Sequence, residues 1–161
     1  INSYKSLNKI NFIEFPKKGF AQLKKITNVL SKLSGCILLI DYGYLKSNNQ
    51  DTLQSVYKHK KNNLLKNLGK ADITSHVNFE LLKEFFMKNK LKVKKTLSQK
   101  EFLENLGINI RAEILSKNMK FSEQSNLFLR LRRLLSPKLM GGLFKVILAY
   151  KYQCDKYSGF K

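Results

Sequence analysis

Ser34-Gly35-Cys36-Ile37-Leu38-Leu39-Ile40-Asp41-Tyr42-Gly43-Tyr44 sets five consecutive apolar residues between a glycine and an abrupt Asp-Tyr-Gly. An uninterrupted run of this length, rich in Ile and Leu, predicts a strand buried on both faces, as in parallel sheets covered by helices. Asp41 marks where that strand leaves the core. In open α/β sheets ligands bind in the crevice beyond the carboxyl ends of the strands. Asp41, Tyr42, Gly43 and Tyr44 therefore fall where chemistry is usually placed. The competing reading is a structural turn in which Asp41 caps and Gly43 supplies a positive φ.

Upstream, Phe20, Leu23, Ile26, Leu30 and Leu33 recur at helical spacing, with Lys24, Lys25 and Lys32 largely opposite. They predict an amphipathic helix after Pro16, closed by Ser34-Gly35 as a glycine C-cap. Residues 11–15 are read as a short strand or an extended arm. Downstream, residues 44–77 show no sustained period, which indicates either a long functional loop or elements that the pattern does not reveal. Asn78 is a plausible N-cap for a helix that turns Phe79, Leu82, Phe85 and Phe86 inward and ends near Asn89. Leu91, Val93 and Thr96-Leu97, interleaved with lysines, predict a short edge strand. Ser98 and Glu101 form a capping box before a short helix that ends at Gly107. Helices are expected over 109–117 and 122–135, the second with Leu127, Leu131 and Leu134 inward and Arg130, Arg132 and Arg133 on a solvated face. Ser136-Pro137 opens a turn, and Gly141-Gly142 leads into a second apolar strand, Leu143 to Tyr150. Residues 1–150 are expected to form part of one domain, and residues 151–161 a polar tail.

The 161 residues carry a formal charge of +20, spread as +8 over residues 1–80 and +12 over residues 81–161. Only four of the 31 basic residues are Arg. That spread fits a general lysine bias as well as a binding face, and no RNA- or DNA-binding signature accompanies it. Specific nucleic-acid binding is not the expectation from this pattern, and a basic protein that binds nucleic acid or acidic partners without enzymatic activity is the rival reading. Cys36 lies in the apolar strand and Cys154 near the end, without a CxxC pair, so neither a disulfide framework nor a zinc site is indicated. A reducing, cytoplasmic setting is the expectation. No apolar run reaches the length of a membrane span. The first residue is Ile1 rather than Met, so the piece is not expected to start where a complete protein would. Three strands, two of them strongly apolar, are also a thin sheet for this much apolar surface, and missing strands are inferred.

Five blocks resemble one family in order and spacing. They are Leu39 to Tyr44, Asp51-Thr52-Leu53-Gln54, Ala71 to Phe79, Gln99 to Ile108, and Met140 to Val146. The family is the MidA-like S-adenosylmethionine-dependent methyltransferases, whose mitochondrial members assist respiratory complex I assembly by methylating an arginine of a complex I subunit. The likeness covers roughly residues 12–150 and only the family's C-terminal half. It implies an α/β fold that is the C-terminal part of a Rossmann-like class I methyltransferase sheet, incomplete on its own. Residues 36–40 would be strand five, 91–97 strand six and 143–150 strand seven, the last antiparallel between the other two.

The chain contains no GxG, the small-residue turn that lets a backbone approach such a cofactor. S-adenosylmethionine, implied by the resemblance, is therefore not expected to bind this chain alone. An N-terminal half on a separate chain is a possible partner, and a complex I subunit a protein substrate by resemblance. The candidate crevice residues are Asp41, Tyr42, Gly43, Tyr44, Asp51, Thr52, Asp72 and His76. Asp51 and Thr52 have loop-ordering as their competing role. His76 follows Asp72 by four residues, so an Asp-oriented imidazole competes with a buried histidine satisfied by Asp72 or Thr74. Two histidines without ligand-spaced partners indicate no metal site.

Overall fold

The computed structural model describes residues 3–8, 10–152 and 157–160. After a 3-10 turn at Lys5–Leu7, the chain forms α1 (Lys17–Leu33), β1 (Cys36–Tyr44), β2 (Gln54–Tyr57), β3 (Lys60–Asn62), β4 (Asp72–Thr74), β5 (Val77–Asn78) and α2 (Phe79–Lys88). It continues through β6 (Lys92–Val93), β7 (Leu97–Ser98), α3 (Gln99–Asn105), α4 (Ile108–Ser116), α5 (Phe121–Leu135), α6 (Met140–Leu143) and β8 (Phe144–Tyr150). In the main sheet β8 is antiparallel to β1, from Cys36 opposite Tyr150 to Tyr42 opposite Phe144. On its other side β8 pairs antiparallel with β6 and β7. β5 joins β1 in parallel, but only at Gly43 and Tyr44. Among the described residues, positions 36–42 of β1 thus have an unpaired outer edge.

Alternation along β1 and β8 divides the core between two faces. On one, Ile37, Leu39, Ile147 and Ala149 meet Phe20 of α1 and the apolar side of α2. That helix buries Phe79, Leu81, Leu82, Phe85 and Phe86, and each such side chain contributes about 1.5–3 kcal/mol of transfer free energy. Asn78 starts it by accepting from the Leu81 amide at 3.1 Å. On the other face Val146 packs with Leu97 and Phe102. Phe160 closes over Phe102 with ring centroids 5.3 Å apart, and the Asn105 side-chain amide donates to the Gly159 carbonyl at 2.9 Å. Residues 157–160 of the expected polar tail therefore fold back onto α3, whereas Cys154 lies outside the described residues.

The structure corrects several expectations. β1 is not buried on both faces, because Cys36, Leu38 and Ile40 are exposed while Ile37 and Leu39 are half-buried. The strand also runs four residues past Ile40, to Tyr44. The expected loop contains a small antiparallel sheet in the order β3-β2-β4. Its hairpin turns through Lys58 and His59, both at positive φ (49° and 61°). That conformation favours Gly or Asn, so the usual hairpin signal is missing. Helix α1 ends on Ser34 at φ 57°, not on a left-handed Gly35. The edge strand over 91–97 is two separate two-residue bridges, and Gly141-Gly142 lie in a helical turn before β8.

The capping box at α3 carries a testable charge. The Ser98 amide and hydroxyl both donate to Glu101 Oε2 at 2.8 Å, and the Glu101 amide donates back to the Ser98 hydroxyl at 3.2 Å. The two bonds from Ser98 hold the Glu101 carboxyl below its ordinary range. A depressed carboxylate stabilises the fold above its unfolded-state value, about 4.3, and loses that contribution as pH falls through the folded value. Ser98→Ala is expected to cost about 1 kcal/mol at neutral pH. In urea titrations the cost should shrink in acid, leaving only the share from the Glu101 amide. An unchanged cost would contradict the charged cap.

Candidate functional site

The carboxyl end of β1, the segment after it and residues 75–78 converge on one end of the main sheet. Thr52 joins them. Its hydroxyl donates to Glu14 Oε2 at 2.6 Å and accepts the His76 amide at 2.8 Å, while its own amide donates to Glu14 Oε1 at 3.2 Å. The arm before Pro16 is fastened to the same segment by Asn49, whose side-chain oxygen accepts the amides of Asn11 and Phe12. The start of α2 is fastened too, since the Ser47 amide donates to Glu80 at 2.7 Å and Asn78 Nδ2 donates to the Ser47 hydroxyl at 2.9 Å.

Between arm and sheet lies a cavity of about 510 Å3 with aromatic walls from Phe12, Phe15 and Phe20 and two carboxylates, Glu14 and Asp51. A second cavity of about 560 Å3, lined also by Thr52, Gln54 and Lys61, shares Asp51, Leu53 and His76 with the first. The His76 ring meets Tyr42 edge to face at 5.5 Å, and Tyr42 meets Phe144 in the same way at 5.7 Å. Burial, and then the Glu14 carboxylate, push the Tyr44 hydroxyl above its usual range against a smaller lowering by Asn78.

The structure thus brings Tyr42, Tyr44, Asp51, Thr52 and His76 together and leaves two expected residues outside. Asp41 is exposed, and among the described residues its carboxylate accepts only the next amide, Tyr42, at 2.8 Å. Asp72 is exposed on β4, lines neither cavity and makes no ion pair with His76. His76 is therefore not an Asp72-oriented imidazole. Asp51 accepts the Leu53 amide at 3.0 Å, an Asx turn that orders the loop. Gly43 does not have a positive φ. It is glycine because an added Cβ would stand 2.1 Å from the Val77 carbonyl oxygen. Glu14 was missed by the sequence reading, and no local pattern marks it, since its partner lies 38 residues away. No group of His, Cys, Asp and Glu among the described residues could hold a metal. None of their helices is long and apolar enough to cross a membrane.

Residues 2–97, more than half of the chain, match the model of the family described as "Putative S-adenosyl-L-methionine-dependent methyltransferase". The chain belongs to this family. Its relatives include the mitochondrial protein arginine methyltransferase NDUFAF7 of Xenopus tropicalis, 30% identical over 124 residues that make up 76% of this chain and 28% of that protein. The rat protein of the same name is 27% identical over 132 residues, 81% of this chain and 30% of its own length. The chain therefore spans less than a third of the curated relatives it matches. A crystal structure of a Burkholderia thailandensis protein superposes with a TM-score of 0.76 at 25% identity, covering 98% of this chain and 44% of that one. A second, solved with S-adenosyl-homocysteine bound, gives 0.75 at 23% identity and covers 42% of that chain. The mixed α/β fold is similar to these structures. The one glycine on β1, Gly43, has the space a Cβ would take filled by the Val77 carbonyl, so the backbone there leaves no gap for a ligand.

Proposed function

We propose that residues 1–150 are the later part of a methyltransferase domain that modifies protein arginine. On this reading the cofactor cradle comes from residues outside this sequence, on the same or another polypeptide. The observation that carries the reading is the strand order, with β8 antiparallel between β1 and the β6/β7 bridges while the outer edge of β1 stays bare. These would be strands five, seven and six of a class I sheet, and an unpaired edge flanked by exposed Leu38 and Ile40 invites a further strand.

S-adenosyl-L-methionine, when bound by the assembled domain, supplies the methyl group. This chain's residues serve the acceptor. The two cavities at the sheet end receive the arginine side chain, its guanidinium facing Glu14 and Asp51. A carboxylate pair suits a planar cation, and Thr52 fixes the orientation of Glu14 while leaving lone pairs free. His76 and Tyr42 form the adjoining wall. Holding the acceptor nitrogen in place is what a direct transfer requires of these groups.

Calorimetric titration of S-adenosyl-L-methionine is the test, first into this chain alone and then into the chain co-expressed with the N-terminal half of a family member. No heat of binding alone and saturable binding in the pair are expected. Binding by the chain alone would overturn the assignment of the cradle to other residues. Failure in a soluble, stoichiometric pair would overturn the methyltransferase reading.

A further inference from the structure

Gly43, the end of α5, the turn after it and the start of β8 line an open cavity of about 590 Å3. Its charged walls are Arg133, Lys138 and Lys145, and no carboxylate lines it. None of the three makes an ion pair within the described residues. Lys145 is half-buried, and its ammonium is held in place by the carbonyls of Gly142 and Leu143. Burial pushes that ammonium below its usual range. A cation withdrawn from water without a counter-ion is a cost that an incoming anion offsets.

The corner is preorganised. An added Cβ on Gly142 would lie 2.0 Å from the Pro137 carbonyl oxygen, so α6 packs backbone to backbone against the turn that carries Lys138. The arginines are also unevenly placed: all four of the chain, Arg111, Arg130, Arg132 and Arg133, lie on α4 and α5. A general lysine excess does not account for that, whereas forked guanidinium groups suit carboxylates. The rest of the wall is apolar, with Leu139 and Leu143 48% and 42% exposed.

We propose that this cavity binds an acidic peptide segment, in which a carboxylate side chain meets Arg133, Lys138 and Lys145 and a neighbouring apolar side chain covers Leu139 and Leu143. A nucleic acid matches the site less well. No aromatic ring lines it for a base to stack on, and a sugar-phosphate backbone would leave the leucines uncovered. The inference does not rest on the proposed function, because peptide binding by the chain itself is what it predicts and that needs neither cofactor nor methyl transfer.

Fluorescence anisotropy with a fluorescein-labelled peptide of repeated Glu-Leu-Ser-Ser, at physiological ionic strength, tests it. Saturable binding is expected, weakened about tenfold or more by Arg133→Glu and by Lys138→Glu, both at exposed positions. Lys18→Glu on α1 makes the same charge change at a distance and should alter binding by no more than about twofold. Three results would overturn the proposal: no binding by the unaltered chain, equal weakening by all three variants, or tighter binding of labelled oligouridine that is lost in the same two variants.

Discussion

Phe86→Ala is expected to lower the unfolding free energy by about 3–5 kcal/mol, the usual cost of emptying a fully buried aromatic site. Phe86 is wholly inaccessible to solvent, meets the Phe85 ring at 5.7 Å, and its carbonyl accepts the Leu91 amide at 3.1 Å. Phe85 in turn stacks on Phe20 with ring centroids 4.4 Å apart. The vacancy therefore falls where α1, α2 and the sheet meet, with little room for neighbours to collapse. Domains of this size hold only about 5–15 kcal/mol in reserve, so the variant should be largely unfolded in mild denaturant. Urea titration followed by circular dichroism measures the loss. A cost below about 1 kcal/mol would mean that α2 is not docked as described.

The second large effect is expected from Gly43→Ala. The new methyl would stand 2.1 Å from the Val77 carbonyl oxygen and 2.9 Å from the Phe79 ring, so β1 and β5 must separate. Only two residue pairs join these strands, and they cannot spread the strain. A destabilisation of about 1–3 kcal/mol, typical of overpacking, should come with local opening of the acceptor site. Hydrogen exchange is the more telling measurement. Amides around residues 43–44 and 77–78 should lose protection while those of β8 keep theirs. Uniform exchange across the sheet would place the damage elsewhere, and an unaltered profile would refute the close approach.

Elements whose cause is local were legible in the sequence. The Asn78 cap with Phe79, Leu82, Phe85 and Phe86 sets α2, and Ser98 with Glu101 sets the start of α3, because each signal lies within a few residues. The apolar runs of β1 and β8 were legible as strands, but which face water reaches depends on what packs against them, and that is not written in the run. The β2–β3 hairpin stayed hidden because its turn uses Lys58 and His59 where Gly or Asn is usual.

At the candidate site, Asp51, Thr52 and His76 belong to recognisable blocks. Glu14 comes from an arm with no pattern of its own, brought there by Thr52 across 38 residues. Asp72 illustrates the opposite error. A four-residue spacing brings side chains together on a helix, whereas Asp72 starts β4 and His76 follows it in chain that is not helical, where about 3.3 Å of rise per residue keeps such a pair far apart.

The pairing of β1 with β8 also orders events during synthesis. β1 is made early, yet the partner that covers its inner edge is the last strand of the described fold. Among the described residues, the Cys36–Ile40 run has no strand partner until β8 leaves the ribosome, since β5 pairs only with Gly43 and Tyr44. An open strand edge of this kind is an aggregation hazard, and β1 carries it through the synthesis of α2 to α6.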